Sequence, residues 1–185
     1  MKVFVLYGSS RENGNSEQLA ELAVQGIECT KVYLREKEIR AIDDRRHTPE
    51  GFAPVDDDYE EVLAAMLEHE ILLFVTPLYW YGMSGLMKNF INRWSQSLRD
   101  KRFPFKEIMG RKMAYVIITG GDNPRLEGLP LVQQFSHIFR YFSLDFRGCL
   151  IGKGNRPGEV LQDSQAILEA RHLNQTLRSL VRKHA

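Results

Sequence analysis

The sequence predicts an α/β fold: a doubly wound, five-stranded parallel sheet of order 2-1-3-4-5, with helices on both faces. Three observations lead there. The runs Val3–Tyr7, Ile71–Val75 and Met113–Ile118 are continuously apolar and rich in branched and aromatic residues, the pattern of strands covered on both sides. Two further runs, Cys29–Leu34 and Leu144–Ile151, alternate in polarity, as half-covered edge strands do. Segments of helical periodicity separate these runs, and strand–helix alternation builds a parallel sheet between helix layers.

The elements follow in order. After Val3–Tyr7, the stretch Gly8–Ser16 leads into a helical stripe of Leu19, Leu22, Ala23 and Gly26. Asn15 is placed to cap that helix, with Gln18 three residues on, as in a capping box. In the second strand Val32 and Leu34 oppose Lys31 and Tyr33. Val62, Ala65, Met66 and His69 form the next stripe. One long helix is expected over Met83–Leu98, carrying Met83, Leu86, Met87, Phe90, Ile91, Trp94 and Leu98. Helices over Leu131–Phe142 and Gln165–Val181 enclose the last strand, where Leu144, Phe146 and Leu150 should share one face opposite Asp145 and Arg147.

The chain as a whole excludes several classes. Its 185 residues, 43% hydrophobic and 26% charged, suit a single domain spanning 1–185. A net charge of +1 gives no bulk attraction to nucleic acid or to a membrane surface, so neither partner is expected. The apolar run at the N-terminus is too short for a signal peptide or a span, and a cytoplasmic protein is expected. Cys29 and Cys149 stand far apart in apolar surroundings, without a CxxC motif, and read as buried small side chains. His47, His69, His137, His172 and His184 show no metal-ligand spacing, and no metal is expected.

In the predicted strand order the chain reverses direction between strands 1 and 3, where such sheets bind ligands. The segments leaving strands 1, 3 and 4 are Gly8–Ser16, Thr76–Ser84 and Thr119–Gly128. The first runs into a helix N-terminus, a natural anion site. Ser9, Ser10 and Ser16 add hydroxyl donors, Asn15 an amide and Arg11 a positive charge. It is not a Walker A: Gly8 to Gly14 is one residue too long, and Asn15 stands where the lysine belongs. It is not GxGxxG either, although Glu36 could mimic a ribose-binding acid. The loop suits a terminal phosphomonoester. The competing reading is a polar turn with a helix cap. The second segment places Tyr79, Trp80 and Tyr81 after Pro77, aromatics suited to a planar ring. The third pairs Gly120 with Gly121, so backbone can approach a ring's carbonyls.

Taken together, "GSSRENGNSE", "TPLYWYGMSGLMKNFINRW" and "TGG" resemble the NADPH-dependent FMN reductase group of flavodoxin-like proteins, over roughly residues 1–150. The resemblance implies that Ser9, Ser10, Arg11, Asn15 and Ser16 hold the FMN phosphate. It implies that Pro77, Leu78, Tyr79, Trp80 and Tyr81 flank the isoalloxazine, with Thr119, Gly120 and Gly121 at its other edge. NADH or NADPH would be the co-substrate, and a small molecule the electron acceptor: a quinone, an azo or nitro compound, or free flavin. The flavin N5 would do the chemistry in a ping-pong cycle, with no catalytic side chain. A homodimer with flavin near its interface is also implied. The apolar breadth of Met83–Leu98 points the same way, because one sheet face would leave much of it uncovered.

One departure is plain. Iron–sulfur flavoproteins of this group carry cysteines between strand 2 and helix 2, whereas residues 36–61 here contain none, which excludes a thiolate-held cluster. Asp43, Asp44, Arg45, Arg46 and His47 in that segment are expected to form a solvated loop rather than a lid. Two other functions compete: a flavodoxin-type electron carrier, usually a strongly acidic protein, and a non-enzymatic anion-binding module on the same fold.

Overall fold

The structure, a computed structural model, describes residues 1–182. His184 lies outside them. Five parallel strands, β1 (Val3–Tyr7), β2 (Cys29–Tyr33), β3 (Ile71–Pro77), β4 (Met113–Gly120) and β5 (Asp145–Lys153), are ordered β2-β1-β3-β4-β5. The helices are α1 (Asn15–Val24), α2 (Tyr59–Leu67), α3 (Gly85–Asn92), α4 (Trp94–Ser97), α5 (Phe105–Met109), α6 (Pro124–Glu127), α7 (Leu129–Tyr141) and α8 (Ser164–Arg182). The expected doubly wound order is the observed one.

Successive strand residues face opposite sides, so an uninterrupted apolar strand supplies two cores. Val3, Val5 and Tyr7 pack with Leu19, Ala20 and Ala23 of α1 and with Ala166, Ala170 and Leu177 of α8. Phe4 and Leu6 join Phe74, Met87, Phe90, Trp94, Phe135 and Phe139 on the other side. Among the described residues no helix is long and apolar enough to cross a membrane.

Four expectations change. First, α1 is capped by Gly14, without a side-chain cap bond. Asn15 is already helical, and its amide points to a distant loop, where Nδ2 donates to the Arg156 carbonyl at 2.9 Å. Second, β5 does not alternate simply. Its register against β4 shifts between Ala114 and Tyr115, which pair with Phe146 and Gly148. The extra residue, Arg147, is a bulge that moves everything beyond it to the other face. Phe146 therefore packs with one core and Leu150 with the other.

Third, Met83–Leu98 is not one helix with an uncovered face. Ser84 caps α3 by accepting the Met87 N–H at 3.2 Å, and the helical segment is divided at Arg93. Met83, Met87, Phe90, Ile91 and Trp94 are all buried within this chain. Trp94 is enclosed by Phe74, Phe90, Phe105 and Phe142 in edge-on contacts. Residues beyond the periodic stripe, Phe105 at the start of α5 and Phe142 just after α7, cover what the sheet does not. Fourth, Cys29 and Cys149 are half-buried free thiols rather than fully buried ones, and burial pushes the Cys149 thiol up to about 12.

The segment between β2 and α2 is solvated at its tip, where Asp43–Arg45 and Asp44–Arg46 are exposed ion pairs. Its root is not. Asp57 accepts the Arg40 N–H at 3.0 Å and pairs with Arg93 at 2.7 Å, with both side chains of that pair almost fully buried. Arg93 also stacks on Tyr59, 4.4 Å from the ring centroid.

Candidate functional site

The carboxyl ends of β1, β3 and β4 bring the three unusual segments side by side. Gly8 leaves β1 with its N–H on the Val75 carbonyl at 2.7 Å. A side chain there would force its neighbours to move: a Cβ would stand 2.9 Å from Ser84 Oγ and 3.0 Å from Met87 Cβ. Ser9 is buried, and its Oγ accepts the Arg11 N–H at 3.1 Å, closing a small turn. Asn13 then takes a left-handed φ of 51°, and α1 begins.

Asn15 and Ser16 open α1, where backbone N–H groups lack intrahelical partners. Both residues are buried, whereas Ser10 and Arg11 are exposed. Arg11 makes no ion pair among the described residues. The Asn15 side chain is engaged at both ends, since Oδ1 also accepts the Val160 N–H at 3.3 Å. What Asn15 has left for a ligand is its backbone N–H.

The second segment folds into a tight two-residue turn. Leu78 donates to the Thr119 carbonyl at 2.8 Å, and Tyr79 and Gly82 exchange both backbone bonds at 3.0 and 2.9 Å. Trp80 and Tyr81 are the central pair, at φ 48° and 64°. A turn with both central residues left-handed usually carries Asn and Gly. Here two aromatics occupy it, at a strain of about 1–3 kcal/mol each. Their rings are not packed on the sheet: Trp80 is 95% exposed, Tyr81 55% and Tyr79 43%. Thr76 Oγ1 accepts the Ser84 N–H at 3.1 Å and fixes where the segment returns to α3.

The third segment lies against the second. A Cβ on Gly120 would meet Pro124 Cβ at 3.1 Å and Leu78 Cβ at 3.3 Å, so the two loops touch through a missing side chain. Thr119 is buried beneath them. Gly121 abuts Asn155, whose Cβ would be 2.9 Å away from any added Cβ.

Asn155 belongs to a fourth segment, Gly152–Gly158, which the sequence reading missed. It leaves β5 with the Gly154 N–H on the Gly120 carbonyl at 2.9 Å, and Asn15 holds it from the other side. The signal was present in three glycines and a proline interleaved with Lys153, Asn155 and Arg156. Arg11, Lys153 and Arg156 form no salt bridge among the described residues, and neither do Glu12 and Asp122, so the rim carries unpaired charges of both signs. Arg125 is different, held bidentately by Asp163 at 2.8 and 2.9 Å. The backbone N–H groups at the opening of α1 suit an anion, and the carboxylate within that first turn is not free. Glu17, the one acid in that turn, is paired to Arg35 at 3.0 Å.

Comparison with known proteins bears on this arrangement. Residues 1–147 match the family of NADPH-dependent FMN reductases. The chain is 52% identical, over 94% of its length and 96% of the relative's, to a Bacillus subtilis protein named as an NAD(P)H-dependent FMN-containing oxidoreductase, YwqN. It is 28% identical, over 98% of both chains, to an iron–sulfur flavoprotein of Methanocaldococcus jannaschii. A solved structure named the Trp repressor binding protein from Bacillus subtilis superposes with a TM-score of 0.79 at 46% identity, covering 93% of this chain and 97% of that one.

Proposed function

The chain belongs to the NADPH-dependent FMN reductase family and is an NAD(P)H-dependent FMN oxidoreductase; we propose that the rim formed by Gly8–Ser16, Thr76–Ser84 and Thr119–Gly128 is its flavin site and serves both substrates in turn. The observation that supports this reading is the meeting of the open N-terminus of α1 and the unpaired Arg11 with three exposed aromatic rings at one end of the sheet. The residues fit the cofactor. A monophosphate matches the open N-terminus of α1 with Ser9, Ser10, Arg11, Asn15 and Ser16 around it. A planar ring matches the space beside Pro77–Tyr81 and Thr119, whose walls are drawn together where Gly120 and Gly121 let neighbouring segments pack closely.

When bound, FMN supplies the hydride and electron transfer between NAD(P)H and the acceptor. The chain's own contribution is placement. The paired bonds between Tyr79 and Gly82 fix the backbone of the turn that presents Trp80 and Tyr81, so no backbone order must be acquired when a ring docks. The bond from Leu78 to Thr119 fixes that turn relative to the glycine loop. Asn15 fixes the phosphate loop relative to the β5 exit. No side chain at the rim needs to act as acid or base.

The acceptor in this reading is a small redox-active molecule, a quinone, an azo or nitro compound or a flavin, and the cycle is ping-pong. The whole chain, 1–185, acts as one flavin-binding unit, in the cytoplasm and as a homodimer. The dimer's surface is not α3, which is covered. Among the described residues, six of the eight large exposed apolar ones, Tyr79, Trp80, Tyr81, Leu126, Leu129 and Leu161, lie on segments leaving β3, β4 and β5, and this rim is the face a second copy would use. The test is direct. Release the flavin by denaturation and identify it, then reduce the holoenzyme with NADPH or NADH without oxygen. FMN and rapid bleaching are expected; FAD, or a flavin that neither nucleotide reduces, refutes the reading.

A further inference from the structure

The phosphate loop ends at Ser16, yet residues outside it hold its shape. Both backbone groups of Asn13 are claimed by α1. Its N–H donates to the Glu17 carboxylate at 3.1 Å, and its carbonyl accepts from the Gln18 amide at 2.7 Å. These two bonds hold the left-handed residue from which the helix starts. Glu17 therefore places a nearly buried negative charge in the first turn of α1, beside the N–H groups offered to an anion. Alone, that carboxylate would compete with a phosphate for the same helix end.

It does not stand alone. Arg35, in the turn after β2, donates to Glu17 at 3.0 Å, and the two side chains are only 14% and 10% exposed. The Arg35 guanidinium lies over the Tyr33 ring, 4.4 Å from its centroid, and Tyr33 stacks on Tyr7 of β1 at 4.5 Å. One helical turn further along, Glu21 takes Lys31 at 2.6 Å and the Tyr7 hydroxyl at 2.6 Å. Two periodicities produce this ladder. Carboxylates four apart share a face of α1, and Lys31, Tyr33 and Arg35, two apart, share a face of β2 and its extension.

We propose that Arg35 is a positioning residue for the flavin phosphate: it neutralises Glu17, so that Glu17 can hold Asn13 in the loop's shape without repelling the anion. This rests on the reading that Gly8–Ser16 holds the phosphate. The consequence is unusual for a structural salt bridge. Removing Arg35 alone leaves an uncompensated, desolvated carboxylate against the ligand. Removing both charges restores a neutral surrounding, and a glutamine at position 17 can still accept the Asn13 N–H.

The experiment titrates FMN and riboflavin, by flavin fluorescence, into the full-length chain freed of flavin. The proteins are wild type, Arg35→Met, Glu17→Gln, the double variant and Arg35→Lys. Arg35→Met is expected to weaken FMN by about tenfold or more, the worth of one charge-assisted contact, with riboflavin unchanged. Adding Glu17→Gln should restore most of the loss, and Arg35→Lys should keep the preference for FMN. The proposal is overturned if Arg35→Met weakens both ligands alike, or if the double variant binds FMN no better than Arg35→Met. If Arg35→Met does not fold, Arg35→Lys decides: loss of its FMN preference overturns the proposal. Equal binding of FMN and riboflavin by wild type refutes the phosphate reading itself, and the proposal with it.

Discussion

Arg11 and Ser16 illustrate what single residues of the loop contribute. Arg11 is an exposed guanidinium without a carboxylate partner. If it meets a phosphate, its truncation to alanine removes a charge-assisted contact of roughly 1.5–3 kcal/mol, or about 10- to 150-fold in FMN affinity. Ser16→Ala should lose less, near 1 kcal/mol for one neutral hydrogen bond. Riboflavin binding should change in neither. Parallel fluorescence titrations check this, and unchanged FMN affinity in Arg11→Ala would leave the task to hydroxyls and backbone N–H groups. Trp80 makes the opposite case. Its left-handed backbone is strained and its ring contacts little of the chain. Trp80→Gly should therefore raise the stability of the flavin-free protein, by up to about 1 kcal/mol, while lowering turnover with NADPH. Urea denaturation and steady-state rates measure the two effects; a destabilised variant would mean that the ring packs in solution.

At the scale of elements, the segment between β2 and α2 depends on one buried pair. Burial pushes the Asp57 carboxyl up, but the Arg93 guanidinium and the N–H groups of Arg40 and Tyr59 outweigh it and hold the carboxyl below its ordinary range. A carboxylate depressed in the folded state contributes stability above its unfolded pKa, near 4, and loses it as pH falls through the folded value. Acid unfolding should accordingly set in below about pH 4, and Asp57→Asn should flatten that part of the stability curve. Asp57→Ala leaves Arg93 buried without its partner and should destabilise by about 3–5 kcal/mol. Denaturation from pH 3 to 7 tests both statements, and an unchanged pH profile in Asp57→Asn would show that the pair does not anchor the segment. In a chain without cysteines in this region, Asp57–Arg93 ties down a segment that no thiolate-held cluster can tie.

For the whole molecule, the exposed rim residues predict self-association. Wild type should sediment as a dimer at micromolar concentration, and Trp80→Gly should shift it toward monomer. A wild-type monomer under those conditions would remove the rim as a dimer face. The β5 edge carries its own protection in the Arg147 bulge and the exposed Asp145–Arg147 pair, which discourages edge-to-edge pairing.

The sequence by itself determined the layers. Uninterrupted apolar strands must be covered on both faces, and helical stripes between them call for a parallel sheet between helix layers. It also marked the three segments that leave β1, β3 and β4, because hydroxyls, glycines and aromatics at strand exits have local causes. Tertiary structure decided everything that depends on distant partners. Asn15 looked like a cap because capping is local; its amide instead reaches Arg156 and Val160, 141 and 145 residues away. Met83–Leu98 looked uncovered because periodicity counts apolar residues but not the Phe105 and Phe142 that enclose Trp94. The β5 bulge is invisible in a run that appears to alternate, since register belongs to the pair of strands rather than to either one. The exit of β5 and the Glu17–Arg35 pair lie beside these segments for the same reason: the crossings that place them side by side are made by the fold, and no local pattern encodes a contact between residues that the chain keeps apart.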